Sequence, residues 1–137
     1  MSISETINRL KGLLYDIKLL LLPLYHRIII GHLRRKHKIN VVFVAMNLSM
    51  WRYQGICEKL SKNSKFNVVV LMLPCVTYSP SQQERDRDAL VSYFKSRNIP
   101  YVIGRADSGT FLNIRQELSP DIMFYPQPYE LIFNPEV

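Results

Sequence analysis

Asn47, Ser49 and Trp51 are the first residues of the chain whose types and spacing suit recognition chemistry. They follow a run, residues 40–46 (NVVFVAM), that is apolar from Val41 onward, at the point where a dinucleotide-binding protein carries G-x-G-x-x-G. Without glycine there, a diphosphate cannot approach the backbone closely. Side chains must then do the recognising: amides and hydroxyls for the hydroxyls of a sugar or glycerol, an aromatic ring for an apolar face. Tyr78 lies on a second loop, residues 74–79, and Gln127 and Tyr129 on another, residues 126–129. Residues 104–109 form a fourth. Ligands of open α/β sheets bind outside the carboxyl ends of the strands, where all four loops fall. Asn47, Ser49, Trp51, Tyr78, Gln127 and Tyr129 are therefore the candidate substrate-binding residues. The competing roles are helix capping for Asn47 and Ser49, and a place in the core for Trp51.

No catalytic residue is assigned. His26, His32 and His37 all precede the first apolar run, so a histidine general base is not expected in these loops. Asp107 is the only acid in the four loops, and one carboxylate beside a helix start reads as a cap. No phosphate-binding G-x-x-x-x-G-K-[ST], no G-x-S-x-G and no metal cluster occurs, so neither cofactor nor metal is expected. Cys57 and Cys75 have no metal spacing and form no disulfide framework. They read as buried free thiols in a reducing cytoplasm.

These loops need a parallel sheet to position them. Residues 40–46, 66–73, 99–103 and 121–125 read as strands, the first two apolar except for Asn40 and Asn67, as expected of strands covered on both faces. Helices are expected at residues 51–63, at 79–98 and from 107–109 to about Leu118. The second has Ser79 as N-cap, Pro80 at N1 and Gln82 at N3. Ala89, Leu90, Tyr93 and Phe94 should face inward, and Glu84, Arg85, Asp86, Arg87 and Asp88 outward. Alternating strands and helices imply an α/β, Rossmann-like parallel sheet of about four strands with right-handed crossovers. The apolar run Leu131-Ile132-Phe133 near the end leads us to expect a truncated chain or one half of a larger protein.

A helical arm precedes this body. Residues 1–38 hold eight Lys or Arg against two acids, a net +6, whereas residues 39–137 hold ten against nine. Ser4 is the expected N-cap, and Pro23 should kink or split the arm into two helices. Leu13, Leu14, Ile17, Leu21 and Leu24 share one face at helical spacing, and Arg34, Arg35, Lys36 and Lys38 follow. An apolar face ending in a basic cluster fits a helix lying in an anionic membrane interface. The alternative is a helix packed on the body or a partner, with a solvated basic tail. The arm is not a typical signal peptide, and Asp16, Lys18, His26 and Arg27 interrupt any span. Basic and aromatic residues do not interleave along the loops, so nucleic acid is not an expected partner.

Three segments carry a family resemblance: KINVVFVAMNLSMWRYQ (38–54), Tyr78-Ser79 with Gln82-Gln83-Glu84-Arg85-Asp86, and DIMFYPQPY (121–129). Together they resemble the N-terminal domain of bacterial CDP-glycerol glycerophosphotransferase-like proteins. These are GT-B type transferases of cell-surface polymer (teichoic acid) synthesis. The resemblance covers roughly residues 38–137. It implies the acceptor-facing half of a GT-B fold, inactive until joined by a downstream half that binds the CDP-linked donor. It also implies a lipid-linked acceptor and a peripheral position on the inner face of the cell membrane. The family's Trp-His-Gly type segment, with its proposed catalytic histidine, does not occur here. The alternative function is a stand-alone, flavodoxin-like binding or regulatory module.

Overall fold

The computed structural model describes residues 3–106 and 108–126, with backbone alone at residues 3–11 and 14. Asp107, Gln127, Tyr129 and the run 131–133 lie outside the described residues. The chain forms two compact units, Met1–Lys36 and His37–Val137.

The first unit is one α-helix, α1 (Ile3–Arg35), roughly 50 Å long at 1.5 Å per residue. Pro23 lies inside it without splitting it, so the two-helix alternative does not hold, and Ser4 is already within the helix rather than before it. Positions 3, 7, 10, 14, 17, 21, 24 and 28 are all Ile or Leu, spaced alternately four and three apart along one stripe. Within this unit Leu13, Ile17, Leu21 and Leu24 are exposed. Arg34 and Arg35 fall in the last turn, where cations complement the negative end of the helix dipole, and Lys36 and Lys38 follow.

The second unit is built on four parallel strands in the order β3-β2-β1-β4. They are β1 (Ile39–Ala45), β2 (Phe66–Met72), β3 (Tyr101–Ile103) and β4 (Ile122–Phe124). β1 lies between β2 and β4, which is why it is apolar from Val41 to Ala45: Val41, Val42, Phe43 and Val44 are all wholly buried. The sheet's amino edge is clasped by polar groups. Asn40 N–H donates to Asp121 Oδ2 (2.9 Å), Asp121 N–H donates to the Asn40 carbonyl (2.9 Å), and Asn40 Nδ2 donates to the Ser119 carbonyl (3.1 Å).

The first two crossovers step outward from β1 to β3 through α2 (Gln54–Ser61) and α3 (Pro80–Ser96). The third returns past β1 to β4 through the short α4 (Ile114–Glu117). Right-handed crossovers in opposite directions place helices on opposite faces. Accordingly Ile114 and Leu118 pack on Val42, Val44, Leu71 and Leu73, while the other face carries an aromatic cluster. There Phe43 stacks on Phe124 at 4.7 Å, and Trp51 meets Phe94 of α3 edge-on at 4.9 Å.

Three expected helices change on inspection. In place of a helix over 51–63, a 3-10 turn (Leu48–Met50) is followed by an extended step and then α2. In α3, Ser79 caps Gln82 N–H and Leu90 and Phe94 are buried as expected, but Ala89 is exposed. Asp86 and Arg87, expected on the outer face, are half-buried. The helix expected from 107–109 is only α4, capped by Asn113. Arg105 pairs with Phe111, and Leu112 N–H donates to the Gly104 carbonyl at 2.8 Å.

Candidate functional site

The strand order reverses between β1 and β4, so the switch point of the sheet lies there. The loop after β1 reaches it by folding on itself. Asn47 is buried, and its Oδ1 accepts from Met50 N–H (3.0 Å) and from Ser49 Oγ (2.8 Å). Both residues thus hold the 3-10 turn together. The extended step after it delivers Trp51, half-buried, against Phe43 and Phe94. Trp51 Nε1 donates to Gln54 Oε1 at 2.9 Å, and that oxygen also accepts from Tyr93 Oη at 3.2 Å. Tyr53 Oη donates to the Tyr125 carbonyl, linking this loop to the exit of β4 across the switch point.

Of the candidate residues, then, Asn47, Ser49 and Trp51 are consecutive parts of one loop, and their described polar contacts stabilise that loop. Tyr78 stands on the next loop, partly exposed, its carbonyl accepting from Gln83 Nε2 at 2.9 Å. Gln127 and Tyr129, expected opposite Asn47, are outside the described residues.

A cavity of about 290 Å³ opens on the same carboxyl edge, displaced toward β2, β3 and the start of α3. Its floor is apolar, with Met72, Leu73 and Leu90, and its polar lining is Gln83, Glu84, Arg87 and Arg105. None of Asn47, Ser49, Trp51 and Tyr78 lines it. Two glycines shape it. A Cβ on buried Gly104 would lie 2.5 Å from Leu73 Cδ2, 2.8 Å from Leu71 Cδ1 and 3.2 Å from the Met72 carbonyl, so any larger residue there would force the two leucines to move. Gly109 turns the loop with φ +86°, in the left-handed region that favours glycine.

Sequence reasoning named the 104–109 loop but passed over Arg105, and it assigned Arg87 to solvent. A signal for the second exists. Gln83, Arg87, Leu90 and Phe94 are spaced four, three and four apart, which is one face of α3. Since Leu90 and Phe94 face the core, Gln83 and Arg87 must look inward from the same face where the helix overhangs the strand ends.

Burial, supplemented by the nearby Glu58 carboxylate, raises the Cys57 thiol above its ordinary value. Among the described residues no group of three His, Cys, Asp or Glu side chains is placed to hold a metal ion. Likewise, among the described residues no helix is long and apolar enough to cross a membrane.

Fold and site together define an α/β protein with a doubly wound, Rossmann-like parallel sheet. No protein-family model, no curated protein and no solved structure matches the chain.

Proposed function

We propose that residues 39–137 are the acceptor-side half of a CDP-glycerol glycerophosphotransferase-like, GT-B type transferase of cell-surface polymer synthesis, inactive without a donor-binding half. The observation that carries this reading is the placement of the first loop. It is glycine-free, closed by side chains, and set at the sheet's switch point. Such a loop favours a hydroxyl-rich acceptor over a dinucleotide. The three segments that resemble the transferase family fall on the strands and loops around this edge: β1 with its loop, the start of α3, and β4. The arm, residues 1–38, supports a position on the cytoplasmic face of the membrane, where a lipid-linked acceptor would be met. It combines an apolar stripe with a basic end.

The test is a pair of titrations of the isotope-labelled chain, followed by amide resonances. A short glycerol phosphate oligomer, standing for the acceptor, should shift residues 47–54 saturably. CDP-glycerol should leave them unmoved, because its site belongs to the other half. The reverse pattern, or no response to the oligomer, overturns the reading.

A further inference from the structure

We propose that the cavity between β2, β3 and α3 binds a phosphate group carried on a small polar molecule, with Arg105 and Arg87 as its cationic contacts. The cavity lies at the lower end of the size range of ligand pockets, which suits a phosphorylated compound of three or four carbons. Among the described residues, its lining carries two guanidinium groups against one carboxylate, Glu84, over an apolar floor. Guanidinium is the side-chain group whose planar fork matches phosphate oxygens two at a time.

Arg105 is held ready for this. Its backbone is fixed by the bridge to Phe111, and its guanidinium lies over the Phe111 ring at 5.5 Å. Its Nη1 donates to Gln83 Oε1 at 3.2 Å. Gln83 cannot turn its amide around, because its Nε2 donates to two carbonyls, of Cys75 (3.1 Å) and Tyr78 (2.9 Å). The Gln83 oxygen is therefore aimed at Arg105 before any ligand arrives, which reduces the ordering cost of binding. Arg87 stands one turn further along α3. Its Nη2 is 3.8 Å from Glu84 Oε1 and its Nε 3.4 Å from Asp88 Oδ1. Those carboxylates are largely exposed, and such pairs are weak.

The helix end is not itself the site. Pro80 has no N–H, and the N–H groups of Gln82 and Gln83 both go to the Ser79 carbonyl at 3.0 Å. The inference stands on the cavity and its arginines and does not require the transferase reading.

The experiment titrates the labelled full chain with sn-glycerol 3-phosphate, glycerol and dihexanoyl-phosphatidylglycerol at constant ionic strength. We expect saturable shifts at Gly104, Arg105 and Gly109 with a phosphate compound, at least tenfold tighter than with glycerol. Arg105→Gln should weaken binding at least tenfold. Gln83→Leu should weaken it severalfold through loss of positioning, and Arg97→Gln, at the far end of α3, should leave it unchanged. Unchanged resonances elsewhere check the fold of each variant. Preference for glycerol 3-phosphate supports a soluble phosphate ligand, and preference for the lipid supports the same site reading a headgroup. Shifts that never saturate, or binding indifferent to Arg105→Gln, overturn the proposal. If glycerol 3-phosphate binds here while the oligomer leaves residues 47–54 unmoved, the transferase reading falls and this site stands. The opposite result removes this site alone.

Discussion

The two units of the chain treat apolar side chains in opposite ways. In the body, Phe43, Val44, Leu71, Leu90 and Phe94 have lost essentially all contact with water. In α1, Leu13, Leu20, Leu24 and Ile28 each keep more than half of their surface exposed within their unit. Charge divides the same way, +6 in residues 1–38 against +1 in the rest. The body thus contains its own reason to fold, since burial of this kind drives folding. The arm is ordered as a helix in which those side chains stay exposed within its unit.

The strongest way to break this contrast is to empty the body's core. Phe43→Ala removes a ring stacked on Phe124 and touching Trp51 and Tyr53, and should cost about 3–5 kcal/mol in urea unfolding. Leu21→Ala in the arm should leave the same transition almost in place. Equal losses from the two changes would show that the arm shares the body's core.

Charge separates the units next. Replacing Arg34, Arg35, Lys36 and Lys38 together by Gln should weaken co-sedimentation with anionic vesicles by up to about 1 kcal/mol per residue. The body's melting temperature should not move. Binding should also fall as salt rises. Self-association of the chain through the stripe at positions 7, 14, 21 and 28, without vesicle binding, would assign that face to a second copy instead.

The smallest effect concerns the buried thiol. Burial raises the Cys57 pKa above its ordinary 9.0, so the folded state keeps a proton that the unfolded chain releases. The associated stability is whole below pH 9.0 and declines as pH rises through the folded value. Cys57→Ala should flatten that alkaline slope in a series of unfolding curves taken above pH 9.0. An unchanged slope would place the alkaline sensitivity elsewhere.

Much of the body was legible because apolar runs mark strands buried on both faces. Residues 40–46 and 66–73 became β1 and β2 with boundaries shifted by one residue. Ser79-Pro80 fixed the start of α3 because the cap is a local device. Tertiary demands hid the rest. A helix from Trp51 was a fair local reading, yet docking the indole on Phe94 requires an extended backbone between the 3-10 turn and α2. The loop after β3 looked like a helix start from Asp107-Ser108-Gly109. The pairing of Arg105 with Phe111 turns a short stretch of chain back on itself, and no capping or periodic pattern announces it. The cavity was illegible for a related reason. Arg87 sits in a run of charges that reads as solvated, and only the fold shows that α3 overhangs the strand ends there.

The clasp between Asn40 and Asp121 joins positions 81 residues apart. Beside it, β1 meets β2 across a separation of only 27 residues, as in the pairing of Ile39 with Phe66. Closing the longer loop costs more chain entropy and returns only a three-residue strand. Of the strand pairings, β1 with β4 therefore carries a large chain-entropy cost of closure. The switch point is made by that strand, so this crevice exists only once β1 and β4 have paired. Any ligand that spans β1 and β4 would act as a fastener across the pairing that closes the longest stretch of chain.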